Sequence, residues 1–357
     1  MILLSLLCFF PYLSHDFFTP YSLLITTYST MLALVTGGNG FIGSHLVEHL
    51  LQRNYTVRCL VRKSSDLKWV QHLPVEFIYG DLFDNSVLKL ALHNVDVVFH
   101  SAGLTKAKTK EKYFRGNQLA TRNILEQTLR CNPSLKRFIH ISSQAAVGPS
   151  FSEMPIDETV PFHPITTYGR SKMEAEKECH KFLDKLPITI CRPPAVFGER
   201  DKDVFEFFKT MNSGIQPLIG FNNKKVSLIH VADLVDGIIQ SGESENSIGQ
   251  TYFIASEATY SWNEIGEVTA KVLGKKAIRI PIPEWVVYVI FGLGEIAGKF
   301  SAKPSIINWE KARDVTQQYW TCSAAKAKKD FGYKQNLTLE SGVKRTVDWY
   351  KKEKWLK

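Results

Sequence analysis

The sequence predicts an α/β protein in which a doubly wound parallel sheet is combined with a smaller C-terminal lobe. Short apolar runs alternate with segments of helical periodicity through the first half of the chain, a pattern typical of parallel strands joined by helices. A glycine-rich turn connects the first apolar run to the first helical segment. With 357 residues, 44% of them hydrophobic, the chain is long enough for one large or two modest globular domains.

The predicted strands are short apolar runs of the kind that are buried on both faces of a parallel sheet. In chain order they are Leu32–Val35, Thr56–Val61, Val75–Tyr79, Val95–Phe99, Lys136–Ile141 and Ile188–Cys191. Helical periodicity between them predicts helices over Ile42–Leu50, Asn85–Leu92, Lys112–Cys131 and Tyr168–Leu183. The proline-containing segment Phe151–Pro164 is expected to be irregular and to lead the chain to Tyr168.

The pattern loosens after the sixth strand. We expect Val226–Ile229 and the helix after Asp233 to return to the sheet. The sheet domain is then residues 31–190 with a return near 226–243, and residues 191–357 form mainly the smaller lobe. Ser261–Leu273, Trp285–Lys299 and the C-terminal tail supply the helices of that lobe.

The segment Trp285–Ala297 in this lobe, WVVYVIFGLGEIA, is conspicuously apolar. It is too short to span a bilayer, which needs about 20 residues, and it carries Glu295. We expect a helix in the core or in the wall of a pocket. The alternative is a helix that lies in a membrane interface.

The first 30 residues are apolar and aromatic and contain no Lys or Arg. They lack the positive N-terminal region and the small-residue cleavage site of a secretory signal. Since Met31 stands immediately before the first strand, we expect residues 1–30 to be a non-native leader or a mis-assigned start. The alternative is an N-terminal membrane anchor.

The glycine-rich turn has the spacing of a dinucleotide-binding site and lies between a strand and a helix, the context that such a site requires. Gly37 allows the tight turn, Gly40 lets the backbone approach a pyrophosphate, and Gly43 lets the helix pack closely on the sheet. The helix N-terminus at Phe41 and Ile42 offers free N–H groups to the phosphates. The turn therefore predicts a bound NAD or NADP, the alternative being a purely structural glycine turn.

The ends of the following strands supply further candidates for cofactor binding. Arg62 follows the second strand, where an acidic residue would favour NAD, and its guanidinium suits the 2′-phosphate of NADP. We therefore expect NADP to be preferred; the alternative is that Arg62 only stacks on the adenine. The later strand ends add Asp81 and Leu82 beside the adenine, and the small residues Ser101, Ala102 and Gly103 where the backbone passes the cofactor.

Tyr168 and Lys172 lie four residues apart and therefore share one face of a helix. A phenol with a pKa of about 10 is a poor base at neutral pH, but a neighbouring ammonium favours the phenolate. Ser143, at the end of the fifth strand, can hydrogen-bond a substrate oxygen while Tyr168 exchanges its proton. The predicted reaction is hydride exchange between a nicotinamide and a hydroxyl or carbonyl carbon, with Lys172 also reaching the nicotinamide ribose.

Seven motifs follow one another along the chain. They are TGGNGFIG (Thr36–Gly43), GDL (Gly80–Leu82), HSAG (His100–Gly103), ISS (Ile141–Ser143), YGRSK (Tyr168–Lys172), RPPAVFG (Arg192–Gly198) and IHVADLV (Ile229–Val235). As an ordered set they make the sequence, from about Met31 to Trp355, resemble the extended short-chain dehydrogenases/reductases of the NAD-dependent epimerase/dehydratase family.

This resemblance implies a Rossmann-type domain with a C-terminal substrate lobe, and a homodimer. It implies that Ser143, Tyr168 and Lys172 form a catalytic triad. It also implies that Pro193 and its neighbours, including Val196, flank the nicotinamide. The end of the second strand departs from the sugar-nucleotide epimerases and is more similar to the dihydroflavonol reductase and 3β-hydroxysteroid dehydrogenase branches.

Three functions fit these residues. The first, which we expect, is a nucleotide-sugar epimerase or dehydratase, since the net charge of +9 and Arg200-Asp201 suit a diphosphate. The second is an NADP-dependent reductase or dehydrogenase of a hydrophobic ketone or alcohol, which Arg62 and the apolar segment Trp285–Ala297 suit. The third, an idle NADP-binding sensor, is disfavoured by the intact set of Ser143, Tyr168 and Lys172.

Composition also limits the partners. The basic residues are scattered, with no arginine-rich arm or zinc-finger spacing, so we expect no nucleic-acid partner, and we expect no membrane partner. The six cysteines form no CxxC pair and show no metal-ligand spacing. We therefore expect reduced thiols, no bound metal and a cytoplasmic location.

Overall fold

The structure is a computed structural model that describes residues 30–221, 223–299 and 309–356. Its strands are β1 (Leu32–Thr36), β2 (Thr56–Val61), β3 (Val75–Tyr79), β4 (Val97–His100), β5 (Arg137–Ile141), β6 (Ile188–Arg192), β7 (Ala195–Phe197), β8 (Ile215–Ile219), β9 (Lys225–His230), β10 (Thr251–Phe253), β11 (Thr259–Ser261), β12 (Ile278–Ile282) and β13 (Tyr319–Trp320). The leader predicted for residues 1–30 lies outside the described residues, Thr30 excepted.

The helices lie between these strands. They are α1 (Phe41–Gln52), α2 (Asn85–Ala91), α3 (Lys110–Phe114), α4 (Ala120–Cys131), α5 (Gln144–Val147), α6 (Thr167–His180), α7 (Phe205–Asn212), α8 (Val231–Glu243), α9 (Trp262–Leu273), α10 (Glu284–Lys299), α11 (Trp309–Thr316), α12 (Ala325–Phe331) and α13 (Leu339–Lys352). A π-helical turn, Arg115–Leu119, joins α3 to α4.

A seven-stranded parallel sheet organises the chain, in the order β10-β6-β5-β4-β1-β2-β3. The chain runs outward from β1 to β3 on one side, then crosses to β4 and runs outward on the other. The carboxyl ends of β1 and β4 therefore form the switch point at which ligands bind in open α/β sheets. This topology confirms the predicted fold class, a Rossmann-type doubly wound sheet.

Helices cover both faces of the sheet, because successive side chains of a strand point to opposite faces. On β1, Val35 packs in a buried cluster with Leu46 of α1 and Leu234 of α8. Leu34, the preceding residue, packs in a second cluster with Ile124 of α4. Apolar residues on both sides explain why these strands read as continuous hydrophobic runs.

One predicted strand joins a different sheet. The prediction that Val226–Ile229 returns to the large sheet was wrong: β9 pairs with β7, β11 and β13 in a separate four-stranded sheet. The helix after it, α8, does pack on the large sheet, and the edge strand there is Thr251–Phe253. A short apolar run specifies burial but not its partner strand, so sequence periodicity alone could not assign the pairing.

The smaller lobe has its own core, which includes Phe208, Ile265, Val343 and Tyr350 from α7, α9 and α13. Beside it, β8 and β12 form a parallel pair. The prediction that the Trp285 segment forms a core helix holds for one side of α10 only, where Val287 is buried, because the other side is exposed to solvent. Among the described residues, no helix is long and apolar enough to cross a bilayer.

Candidate active site

A cleft of about 800 Å³ opens at the carboxyl edge of the large sheet, at the switch point between β1 and β4. Its walls come from the glycine-rich turn, the ends of β2 and β3, and the loop after β4. Of the residues predicted to bind the cofactor, the cleft brings together Gly37, Gly40, Phe41, Ile42, Gly43, Arg62, Asp81, Leu82, Ser101, Ala102 and Gly103.

The glycine-rich turn is shaped for close approach of a ligand. Gly37 has a φ of 72°, and a Cβ on it would lie 2.8 Å from the backbone of Ala102. The Gly40 N–H donates to the Gly37 carbonyl at 3.0 Å, and α1 starts after Gly40 without a side-chain cap. A Cβ on Gly43 would clash with the same Gly37 carbonyl. An uncapped helix N-terminus at a concave backbone turn suits an anion such as a pyrophosphate.

Arg62 lies at the mouth of this cleft with its side chain in solvent. Its guanidinium has no hydrogen-bond or ion-pair partner within the described ranges. Asp81, from the end of β3, is exposed and accepts a hydrogen bond from the Phe83 N–H at 2.9 Å. An unpaired guanidinium after the second strand provides the positive charge and the N–H donors that a 2′-phosphate would require.

Ser143 follows β5, and Tyr168 and Lys172 lie in the first two turns of α6; none of the three is in the wall of the cleft. Ser143 caps the short helix α5, accepting from the Ala145 N–H at 3.1 Å, and its hydroxyl faces the phenol of Tyr168, whose pKa it lowers. Burial raises the pKa of Tyr168, and the Ser143 hydrogen bond opposes that rise. Burial lowers the pKa of Lys172 to about 8. The Lys172 ammonium donates to the Ile141 carbonyl at 2.7 Å.

Gly103 connects the two halves of the site. A Cβ on Gly103 would lie 3.9 Å from the Lys172 Nζ, so the loop after β4 lies directly against the lysine. Pro193 and Val196 are absent from the cleft wall. The Pro193 carbonyl accepts from the Gln144 N–H at 2.8 Å, next to Ser143, and Val196 lies in β7. Pro193, which is predicted to flank the nicotinamide, therefore lies beside the short helix that Ser143 caps.

Asn117 holds this loop, a role that the sequence analysis does not assign. It lies in the π-helical turn, and its side-chain oxygen accepts from the Leu104 N–H at 2.6 Å. Its amide donates to the Leu104 carbonyl and to the hydroxyl of Ser171 on α6, at 3.0 and 2.8 Å. The sequence signal for this role was an Asn inside a predicted helix. Asn is a poor helix former, and π-helical turns are frequent at functional sites.

A buried ion pair lies one helical turn beyond Lys172. Glu176, which is fully buried, accepts from the Arg192 Nη2 at 2.6 Å and from the hydroxyl of Ser142. Ser142 stands between Ile141, which binds Lys172, and Ser143. Glu176 therefore ties the end of β5 to α6, and its charge counteracts the lowering of the Lys172 pKa.

Two buried histidines lie beneath the site. His100 shares hydrogen bonds with the hydroxyls of Thr36 and Thr121, at 2.8 and 3.0 Å. His140, its neighbour in register on β5, has no hydrogen-bond partner for either ring nitrogen within the described residues. Burial, assisted by the charge of Lys172, lowers the pKa of His140 and lowers that of His100 to about 3.

The smaller lobe reaches Tyr168 through α11. The carboxylate of Glu310 accepts from the N–H and the hydroxyl of Thr167, at 2.8 and 2.7 Å, and pairs with Arg170 at 3.0 Å. Glu310 thus caps the start of α6 from the lobe, where a negative charge complements the helix dipole. The ring of Tyr113 lies 6.4 Å from that of Tyr168 and completes this side of the site.

Arg200 is engaged at the cofactor cleft. It donates to the hydroxyl of Ser44 at 3.0 Å and to the carboxylate of Glu48 at 2.6 Å, both on α1. Its φ is 71°, unusual for a residue other than glycine. Both contacts are on the helix after the glycine-rich turn, and Arg200 also lines the cleft together with Asp201.

The model of the NAD dependent epimerase/dehydratase family matches residues 33–255, which is more than half of the chain. The chain belongs to this family. The match includes the glycine-rich turn and the wall of the cleft. It also includes every strand of the large sheet, except that it begins one residue after the start of β1. This family member is therefore an NAD(P)-dependent enzyme.

Two curated relatives and one solved structure extend this comparison. The ceramide reductase of Caulobacter vibrioides is 29% identical, covering 90% of this chain and 95% of the relative. The 3-beta-hydroxysteroid dehydrogenase of Mycolicibacterium neoaurum is 26% identical, covering 89% and 90%. The UDP-glucuronic acid 4-epimerase of Bacillus cereus, solved in complex with NAD, superposes with a TM-score of 0.73 at 23% identity, covering 90% and 99%. The last comparison bears on the fold.

The residues of the cleft fit the cofactor that the family implies. The glycine-rich turn leaves room that a Cβ would fill, and α1 presents an uncapped N-terminus to the same space. Among the described residues, no group of three or more His, Cys, Asp or Glu side chains could hold a metal ion.

Proposed function

We propose that this family member is an NADP-dependent reductase or dehydrogenase that interconverts a hydrophobic ketone and the corresponding alcohol. The observation that carries the proposal is that Tyr168 faces Ser143 while Lys172, one helical turn further along α6, lies against Gly103 of the cofactor cleft. The reduction adds one hydride to the carbonyl carbon and one proton to the carbonyl oxygen.

The side chains supply the proton transfer and the positioning. A bound nicotinamide would supply or accept the hydride. The Tyr168 phenol donates its proton to the substrate oxygen during reduction and takes it back during oxidation. The Ser143 hydroxyl, which faces that phenol, orients the same oxygen. The Lys172 ammonium, fixed on the Ile141 carbonyl, stabilises the phenolate that results.

The preference for NADP is supported by Arg62. Its guanidinium lies at the cleft wall after β2, has no partner within the described ranges, and can form charge-assisted hydrogen bonds with a phosphate. The acidic residue that would bind a ribose 2′-hydroxyl is not present at this position, which Val61 and Arg62 occupy.

The hydrophobic substrate class is supported by two observations. Arg200, the cation expected to bind a diphosphate, is held by Ser44 and Glu48 on α1. The two curated relatives carry names of enzymes that act on ceramide and on hydroxysteroids, both of which are hydrophobic. A nucleotide-sugar substrate, a homodimer and a cytoplasmic location stay predictions.

The proposal is tested by incubating the purified full chain with NADPH or NADH and two groups of substrates. One group contains long-chain and steroidal ketones, and the other contains UDP-sugars. We expect oxidation of NADPH with at least one hydrophobic ketone and none with the UDP-sugars. Conversion of a UDP-sugar without net consumption of nicotinamide, by protein that retains NAD through purification, would establish the epimerase hypothesis instead.

A further inference from the structure

One face of α10 is apolar and exposed to solvent. Trp285, Val289, Leu293 and Ile296 follow one another at helical spacing and expose 68%, 51%, 63% and 57% of their surface. We call these four residues the α10 stripe. On the opposite side of the helix Val287 is 3% exposed. A row of large apolar side chains differs from single exposed ones and is typical of an interaction surface.

The apolar surface continues into the elements that adjoin α10. In β12, the strand that precedes it, Ile278 and Ile280 are exposed and, being two residues apart, point to the same face. The loop after β8 carries Phe221, which is 79% exposed. This loop lies at the start of α10, because a Cβ on Gly220 would be 3.0 Å from the carboxylate of Glu284.

Three cations lie on elements next to this surface, which also carries Glu284 and Glu295 on α10 itself. Lys275 and Lys276 are exposed on the turn before β12, and Arg313 is exposed on α11. None of the three forms an ion pair with another residue in the described ranges. By contrast, the ten residues from Trp285 to Gly294 include no charged side chain. An apolar helix face with unpaired basic residues on the adjoining elements is complementary to an anionic lipid surface.

The charge of the chain also discriminates between possible occupants. A second copy on the stripe would bring two chains of net charge +9 together, whereas an anionic membrane would attract them. Trp285 lies in the stripe, and Trp309 at the start of α11 is half exposed. Indole rings with an apolar body and a polar N–H favour the boundary between lipid headgroups and acyl chains.

We propose that α10 docks this protein on the surface of a membrane containing anionic lipids, with the helix in the plane of the interface and the stripe facing the acyl chains. The docking element is joined to the site. The Tyr288 hydroxyl of α10 lies 3.0 Å from the Thr316 hydroxyl of α11, and Glu310 of α11 caps the helix that carries Tyr168. The biological reason for docking rests on the proposed function, because a hydrophobic substrate partitions into the bilayer.

The test is flotation of the purified full chain with phosphatidylcholine vesicles and with vesicles that also contain phosphatidylglycerol. We expect the wild-type chain to float with the anionic vesicles, and the double variant V289E/L293E to show at least a tenfold lower bound fraction. Leu90→Glu, at an exposed leucine of α2, is the matched control and should float like wild type. Lys275→Ala combined with Lys276→Ala should lower binding to the anionic vesicles several-fold.

Three outcomes would overturn the proposal. The first is that the wild-type chain does not float. The second is that V289E/L293E floats like wild type, which would mean that another part of the chain binds lipid. The third is that the wild-type chain is a dimer, that V289E/L293E is a monomer, and that neither floats. Equal thermal melting of V289E/L293E and wild type shows that the variant is folded. Because flotation requires no substrate, failure of the proposed reaction leaves this result interpretable.

Discussion

Glu176 and Arg192 form an ion pair that is almost completely buried, and Glu176 lies one helical turn beyond Lys172. The pair joins the last residue of β6 to the helix that carries Tyr168. Through Ser142 it also fixes the end of β5, where Ser143 lies and where the Ile141 carbonyl binds Lys172. One carboxylate thus links the ends of β5 and β6 to α6, the helix that carries Tyr168 and Lys172.

Glu176→Gln is expected to lower the free energy of unfolding by about 3–5 kcal/mol, because it leaves the Arg192 cation buried without its counter-ion. Urea denaturation measures the change. The double variant Glu176→Gln/Arg192→Met should lose less than the sum of the two single variants. Glu126→Gln, which breaks an exposed i,i+4 pair with Arg122, is the control and should cost less than about 1 kcal/mol. Additive losses would contradict the coupling.

Tyr168→Phe is expected to lower turnover by a factor of about 10²–10⁴, since the variant keeps the ring but lacks the proton donor. Binding of NADPH, measured by fluorescence titration, should stay within about twofold of wild type because the cleft is unchanged. Tyr113→Phe removes a hydroxyl that bonds the Thr105 carbonyl and serves as the control. Full turnover in Tyr168→Phe would rule out its assignment as the acid and base.

Arg62→Ala is expected to weaken NADP binding by about tenfold or more, which corresponds to loss of a charge-assisted contact of about 1.5–3 kcal/mol. NAD binding should change little, because NAD lacks the 2′-phosphate. Isothermal titration with both cofactors measures the two affinities, and Lys63→Ala controls for the loss of a positive charge nearby. Parallel loss of both affinities would indicate stacking on adenine instead.

Lys172 is expected to make stability depend on pH in the alkaline range. The folded-state pKa is about 8 and the ordinary value is 10.5, so between these pH values the unfolded chain keeps a proton that the folded protein has released. Stability therefore rises with pH in this window, by at most about 3 kcal/mol relative to Lys172→Met. Urea denaturation of both proteins at pH 7.5 and pH 10 measures the difference. Lys177→Met, an exposed lysine of the same helix, should show no such change, and a pH-independent difference for Lys172→Met would contradict the assignment.

His140→Leu is expected to raise stability at neutral pH by about 1 kcal/mol, because it removes two buried ring nitrogens that lack partners. The burial that lowers the pKa of His140 keeps the folded ring neutral, while the unfolded ring gains a proton below about pH 6.5. Wild type therefore loses stability on acidification, and the variant should lose less. Thermal melting at pH 7.5 and pH 5.5 compares them, with exposed His72→Leu as the control. A lower melting temperature for the variant at both pH values would show that the imidazole packs better than leucine.

Local patterns were sufficient to bring the residues predicted to bind the cofactor to one cleft. Each of the residues from Gly37 to Gly103 predicted to bind the cofactor follows a strand of the large sheet, and parallel strands bring their carboxyl ends to one edge. A motif at the end of each strand therefore specifies position in the fold as well as chemistry. Tyr168 and Lys172 share one face of α6 because they lie four residues apart, which is about one helical turn.

Contacts between distant segments could not be predicted in this way. Glu176 and Arg192 belong to different elements, and neither lies in a pattern that specifies the other. Asn117 lies in the π-helical turn, and its side chain bonds both the loop after β4 and Ser171 of α6. These contacts could not be predicted from the helical pattern around Asn117. The strand Val226–Ile229 was assigned to the wrong sheet because its apolar run fits any buried strand.

By itself the sequence determined the fold class and the residues at the strand ends, because these depend on periodicity and on spacing within single elements, and its ordered motifs carried the resemblance to the family. Only the tertiary structure decided that Arg200 is held on α1, that Glu310 caps α6 from the smaller lobe, and that α10 exposes Leu293. The physical reason is that an apolar side chain has only a tendency to be buried. Whether it is buried, and by which element, depends on how the whole chain packs.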